Sequence, residues 1–71
     1  MIYDYSKLKG RIKEKGFTQE DIAKNINKDK STVSLKLNNQ SAFMQDEMMI
    51  IINLLDIPGE QIKEYFFTEK V

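Results

Sequence analysis

We predict that residues 1–71 form one all-α domain of five helices. Apolar residues recur three or four positions apart along most of the chain, a spacing that places them on one face of a helix. Short polar stretches separate these segments, and the single proline, Pro58, precedes the last of them. A chain of 71 residues buries only about 60% of the surface that its unfolded form exposes, so we expect one modest core.

The first two predicted helices have clear start and stop signals. Asp4 is a candidate N-cap for a helix that extends to Lys15, and Gly16 is expected to end this helix in a left-handed conformation. Thr18, followed three residues later by Asp21, is a variant capping box that begins a short helix ending near residue 26. The predicted inward residues of these two helices are Tyr5, Leu8, Ile12, Ile22, Ala23 and Ile26.

The remaining helices follow from the same signals. The third is predicted over residues 30–37, with Asp29 as its N-cap. The fourth begins after Met44 and continues through Leu55, and Pro58 then helps to start the fifth. The predicted inward residues of these three helices are Val33, Leu37, Met48, Ile51, Ile52, Leu55, Ile62, Tyr65 and Phe66.

The residue types that are absent restrict the chemistry. The chain has no Cys and no His, so it offers no thiolate, no imidazole base and no zinc site built from them. The acidic pairs Glu20-Asp21 and Asp46-Glu47 fall in predicted first helical turns, where carboxylates favour the helix dipole. We therefore predict no enzymatic activity, cofactor, metal or small-molecule substrate. The longest apolar run, Met48–Ile52, is far shorter than the ~20 residues of a membrane span, so we expect a cytoplasmic protein with no membrane partner.

The segment from residue 18 to residue 39 is the most informative part of the chain. Ala23 in the second predicted helix and Val33 in the third are suited to two short helices that cross closely, because a small residue permits the approach and a branched one fills the junction. The outer face of the third helix carries side chains that can enter a DNA major groove and contact base edges. These predicted base-reading residues are Lys30, Ser31, Thr32, Ser34 and Leu35.

The segments KGFTQEDIA (residues 15–23) and KSTVS (residues 30–34) resemble the helix-turn-helix of the phage lambda repressor and Cro-type family, and short phage-encoded Cro-like repressors in particular. The resemblance covers about residues 8–67. It implies a lambda-repressor-like fold with a central helix-turn-helix. It also implies a repressor that binds a double-stranded DNA operator in the major groove, as a homodimer at least on DNA. The phosphate contacts predicted with it are Gln19, Lys28, Lys36, Asn38 and Asn39.

The sequence departs from that family's pattern in four places, which together involve five residues. Asn27 replaces the usual turn glycine, and Asn39 stands near the end of the recognition helix; both can adopt the left-handed conformation. Leu37 replaces the usual glutamate at that end of the helix. Leu35 stands where a polar base-reading residue is common, and Met44 where a hydroxyl cap is common.

Charge is divided unevenly along the chain although its net value is zero. Residues 7–36 contain nine basic and four acidic residues, a net charge of +5, whereas residues 37–71 contain two basic and six acidic residues, a net charge of −4. Asp4 balances the sum. A basic half is expected to attract phosphate, because the potential near a surface depends on the nearest charges.

A second reading keeps the same fold but assigns a different partner. In it the chain is a protein-interaction module, antirepressor-like or antitoxin-like, that uses its acidic and aromatic C-terminal half. Tyr65, Phe66 and Phe67 are then a candidate self-association patch, although packing beneath the first helix is an equal alternative. Residues 67–71 can extend the last helix, pair as an edge strand or fray, or act as a dimerising tail.

Overall fold

A computed structural model describes residues 2–71 and confirms the predicted all-α fold of five helices. The helices are α1 (Ser6–Glu14), α2 (Gln19–Asn25), α3 (Lys30–Leu37), α4 (Gln45–Leu54) and α5 (Ile62–Phe66). A single 3-10 turn over Gly59–Gln61 leads into α5. None of the helices among the described residues has both the length and the apolar character needed to cross a membrane.

The helix starts follow the predicted caps closely. Thr18 and Asp21 form a complete capping box, with Asp21 N–H donating to Thr18 Oγ1 at 3.1 Å and Thr18 N–H donating to Asp21 Oδ2 at 2.8 Å. Asp29 Oδ1 accepts the N–H of Thr32 at 2.9 Å. Helix α1 begins one residue later than predicted, because Asp4 bonds the N–H of Ser6 instead of capping directly.

Helices α1 to α4 all end in the same way. A residue with positive φ follows each C-cap, and the next N–H then donates to a carbonyl five residues back, as in a Schellman motif. These positive-φ residues are Gly16, Asn27, Asn39 and Asp56. The left-handed conformation predicted for Asn27 and Asn39 is thus confirmed, whereas that of Asp56 has no counterpart in the prediction.

The core lies where the helical spacing predicts it. Leu8, Val33 and Leu55 have no exposed surface, and Phe66 is 1% exposed. Ala23 is also buried, so α2 and α3 meet closely, as expected. Gly10, which interrupts α1, has no neighbouring atom within 4 Å of where a Cβ would lie, so no close approach requires a glycine there.

The two ends of the chain pair with each other. Tyr3 and Glu69 form an antiparallel bridge, in which Asp4 N–H donates to Thr68 C=O at 2.7 Å and Lys70 N–H donates to Ile2 C=O at 2.9 Å. Of the alternatives for residues 67–71, edge pairing is therefore the one observed.

The predicted self-association patch is wrong for two of its three residues. Tyr65 and Phe66 are 6% and 1% exposed, because α5 packs these rings into the core. Phe67 is 41% exposed and its ring lies edge-on to that of Tyr3. Packing beneath the first helix, the alternative to self-association, therefore accounts for most of this aromatic cluster.

Candidate functional site

Helices α2 and α3 present the predicted base-reading residues on one outer side of α3. The two helices are joined by residues 26–29, and α3 turns Val33, Lys36 and Leu37 inward. Lys30, Ser31 and Leu35 are exposed, and Thr32 and Ser34 are half-buried. The five predicted residues are thus together on the helix and open to a partner.

Asp29 caps the N-terminus of α3, at the start of this outer face. Its Oδ1 accepts three hydrogen bonds, from the Ser31 hydroxyl at 2.9 Å, the Thr32 hydroxyl at 2.7 Å and the Thr32 N–H at 2.9 Å. The bonds from Thr32 are the main reason that the pKa of Asp29 lies below its ordinary value. Two of the three predicted hydroxyl residues, Ser31 and Thr32, therefore donate to the carboxylate that caps this helix, and a negative charge lies at the helix N-terminus.

Lys36, predicted to contact phosphate, is instead part of the interior. It is 5% exposed, and its Nζ lies 3.0 Å from Glu47 Oε1 and 2.9 Å from the carbonyl of Ala42. The prediction for Lys36 is wrong because Val33, Lys36 and Leu37 are spaced i, i+3 and i+4, which puts all three on the buried side of α3. That spacing is the signal that could have placed it correctly.

Glu47 completes this buried contact and is the residue that sequence reasoning missed. It is 4% exposed and also accepts the N–H of Met44 at 2.8 Å, which supplies the cap that the Met44 side chain does not. Burial alone would raise its pKa, but the Met44 N–H and the Lys36 ammonium outweigh it, and the pKa lies below the ordinary value. The pair fixes the end of α3 to the start of α4.

Asn39 has a second structural role besides its positive φ. Its side-chain amide donates to Tyr3 C=O at 2.8 Å, and its Oδ1 accepts Tyr3 N–H at 2.9 Å. Both polar groups are thus engaged within the chain, so the predicted phosphate contact at Asn39 is not supported by this geometry. Of the predicted phosphate contacts, Lys28 and Asn38 remain exposed, and Gln19 is half-buried at the start of α2.

The basic charge of the N-terminal half lies largely outside the α2–α3 pair. From Thr18 to Glu47 there are four Lys against five acidic residues, a net charge of −1. Helix α1 carries the positive charge instead, and C-terminal groups engage part of it. Lys7 pairs with Glu64, Lys15 Nζ lies 3.3 Å from Asp56 Oδ2, and Arg11 donates to the carbonyls of Leu55 and Asp56 at 2.9 and 3.0 Å. A basic stretch of sequence is therefore not a basic face around α3.

Metal ions in proteins are held by clusters of ligating side chains. Among residues 2–71, no three potential metal-ligating side chains come together. The contacts available on the outer side of α3 are hydrogen bonds, charge and apolar area.

Fold and sequence together define a class of protein. Residues 1–69 match a family model described as "Protein of unknown function (DUF739)", and the chain belongs to that family. Its all-α fold is that of a small helical phage regulatory protein.

Within that class, the chain is similar to the modulator of repression (MOR) of the temperate bacteriophage TP901-1 from Lactococcus lactis, known from a solution structure. The two are 41% identical with a TM-score of 0.76, and the match covers 100% of this chain and 96% of that one. No curated protein gives a significant match. Membership of the lambda repressor and Cro-type family remains a prediction from the motif.

Proposed function

We propose that this protein regulates phage repression by binding a repressor protein. Its similarity to a protein named as a modulator of repression extends over the whole chain at 41% identity, which supports a role in the same kind of switch. Modulation of this kind requires a contact with the repressor or with its DNA. The net negative charge around α2 and α3 favours a contact with the repressor.

The main support for a protein partner is that acidic side chains lie at the starts of α2, α3 and α4. Asp21 bonds the Thr18 N–H, Asp29 bonds the Thr32 N–H and Glu47 bonds the Met44 N–H. Free N–H groups at helix starts are favourable sites for DNA phosphates. Here a carboxylate already bonds one such N–H at the start of each helix, and the charges of Asp21 and Asp29 repel phosphate.

The same features suit a basic protein partner. Helices α3 and α4 expose the apolar side chains of Leu35 and Met44, at 44% and 60%, and the Lys36–Glu47 pair holds the end of α3 close to the start of α4. Glu20 and Asp46 add exposed negative charge. A repressor's DNA-binding surface is basic by necessity, so an apolar and acidic surface is complementary to it.

Direct DNA binding is the second candidate. It is favoured by the exposed side of α3, where Lys30 and Ser31 can approach base edges, and by Gln19 at the start of α2. In this mode the protein is a sequence-specific, Cro-like regulator that binds as a dimer. In either mode it acts by binding alone, without catalysis or a cofactor.

A mobility-shift experiment with labelled operator DNA and the repressor encoded in the same phage genome separates these modes. We expect the protein to release the repressor from DNA or to change the mobility of the repressor–DNA complex, and to give no shift by itself at micromolar concentration. Glu20→Lys should weaken this effect, whereas Glu60→Lys, an exposed acid before α5, should not.

The opposite result favours DNA binding. A shift by the protein alone that weakens steeply between two salt concentrations indicates phosphate contacts. In that case Lys30→Ala should relax base preference, and Gln19→Ala should weaken binding to all sequences alike. Such a shift, with no complex between the protein and the repressor, would overturn the first proposal.

A further inference from the structure

An aromatic cleft lies where both chain termini meet the loop between α3 and α4. Its volume is about 370 Å³, within the range of ligand pockets. Five aromatic rings line it, each in contact with the next, and the centroids of neighbouring rings are 5.4 to 6.2 Å apart. These rings are Phe67, Tyr3, Tyr5, Phe43 and Phe66. Neither the phage regulatory role nor the α2–α3 site accounts for this cleft.

The lining carries no ionised side chain. In a chain with 31% charged residues, all ten residues around the cleft are aromatic, aliphatic or neutral polar. Any charged group that entered would lose its hydration without gaining an opposite charge. Charge complementarity therefore requires an uncharged occupant.

The rim of the cleft offers free backbone donors. Among the described residues, the N–H groups of Ser41, Ala42 and Phe43 donate to no hydrogen-bond acceptor. The loop is held in place from both sides, because Lys36 bonds the Ala42 carbonyl and Asn39 bonds Tyr3. Unpaired donors in this loop can bond the carbonyls of an extended peptide while one of its side chains enters the cleft.

We propose that this cleft binds an extended, uncharged segment of a partner protein and takes up one of its aromatic side chains between Tyr3, Phe43 and Phe67. Three of the four ring contacts in the cleft are edge-to-face, and an inserted aromatic ring can add one more contact of the same kind. The inference rests on the proposed function in one respect only, namely that the segment in the cleft belongs to a protein partner. The cleft borders the start of α4 at Phe43 but includes no residue of α2 or α3.

Titration of the 15N-labelled protein with N-acetyl-L-tryptophanamide tests the cleft directly. We expect saturable shifts of the backbone amides of Tyr3, Ser41, Phe43 and Phe67, and nuclear Overhauser contacts between the indole and these rings. N-acetyl-L-lysinamide at the same concentrations should give no such shifts, because its ammonium is not matched in the cleft.

Two variants provide a matched comparison. Phe67→Ala should weaken binding of the tryptophan amide by about three- to tenfold, the amount that one aromatic pair contributes. Met49→Ala, which alters a 52% exposed apolar residue of α4 outside the cleft, should leave it unchanged. If Phe67→Ala fails to fold, the Overhauser contacts in the unaltered protein still decide the question.

Shifts that are absent, that spread over the whole surface or that occur equally with the lysine compound would overturn the inference. This outcome is separable from the proposed function. The repressor can bind through the acidic surface while the cleft stays empty, and the cleft can bind the tryptophan compound when no repressor complex forms.

Discussion

The outer and inner sides of α3 differ in what their polar residues do. On the outer side, Lys30 and Ser31 are exposed, and the hydrogen bond of Ser31 stays within the helix start at Asp29. On the inner side, Lys36 is buried against Glu47, and Asn39, just beyond the helix, holds the Tyr3 backbone. Similar residue types on one helix thus either stay exposed or hold the fold together, depending on which chain segment lies against them.

This difference divides the predicted DNA contacts into two groups. Substitutions on the inner side should act on stability, because α3, α4 and the N-terminal segment are joined there. Substitutions on the outer side should act mainly on binding. Each prediction below tests one side of that division.

Lys36→Met should have the largest effect. It leaves Glu47 buried and negative without its partner, which costs about 3–5 kcal/mol in comparable buried pairs. A domain of 71 residues has a total stability of roughly 4–10 kcal/mol, so this loss should be a large share of the total. Urea unfolding followed by circular dichroism measures the loss.

The double variant Lys36→Met/Glu47→Leu is the control for that experiment. Replacing both charges with apolar side chains removes the unpaired carboxylate, so most of the lost stability should return. A single variant that unfolds at the same urea concentration as the unaltered protein would show that the pair is not buried in solution.

Asn39→Ala should have the next largest effect. It removes two hydrogen bonds to Tyr3, worth about 0.5–1.5 kcal/mol each, and places a Cβ-bearing residue without local polar compensation at a φ of 64°, which costs roughly 1–2 kcal/mol. We expect a loss of about 2–5 kcal/mol in the free energy of unfolding.

Asn39→Gly separates the two contributions, because glycine tolerates the positive φ but cannot bond Tyr3. It should lose less stability than Asn39→Ala. Equal losses in the two variants would mean that backbone strain at residue 39 is negligible.

Lowering the pH should also weaken the contact between α3 and α4, but by less than the substitution of Lys36 does. The pKa of Glu47 is lower in the folded protein than its ordinary value of 4.5, so its contribution is present above that pH and is lost as the pH falls below it through the folded value. Asp21 and Asp29 also have lowered pKa values and act in the same direction. Glu47→Gln should therefore reduce, without abolishing, the decline in unfolding free energy measured between pH 6 and pH 3.

Local signals in the sequence predict most of the fold. Thr18, Asp21 and Asp29 identify helix starts because their side chains bond neighbouring backbone, and Gly16 and Asn27 identify helix ends because they tolerate positive φ. These properties depend only on residues a few positions apart. The predictions that fail depend instead on distant segments.

Lys36 illustrates that second class. A lysine at the edge of a helical stripe is normally exposed, and only the arrival of Glu47 from α4 makes its burial favourable. The choice between core packing and self-association for Tyr65 depends on the packing of α5 beneath α1, a relation that helical spacing alone leaves open. The positive charge of residues 7–36 lies mainly on α1, and acids from the C-terminal half engage part of it.

Leu35→Ala should have the smallest effect on stability and the clearest effect on binding. Leu35 is 44% exposed on the outer side of α3, so its truncation should change the free energy of unfolding by no more than about 0.5 kcal/mol. If the outer side of α3 binds the repressor, this variant should release less repressor from operator DNA at equal concentration. Ile50→Ala, a 39% exposed residue of α4, is the matched control. A loss of repressor release in the Ile50 variant alone would move the binding surface from α3 to α4 and contradict the division drawn between the outer and inner sides of α3.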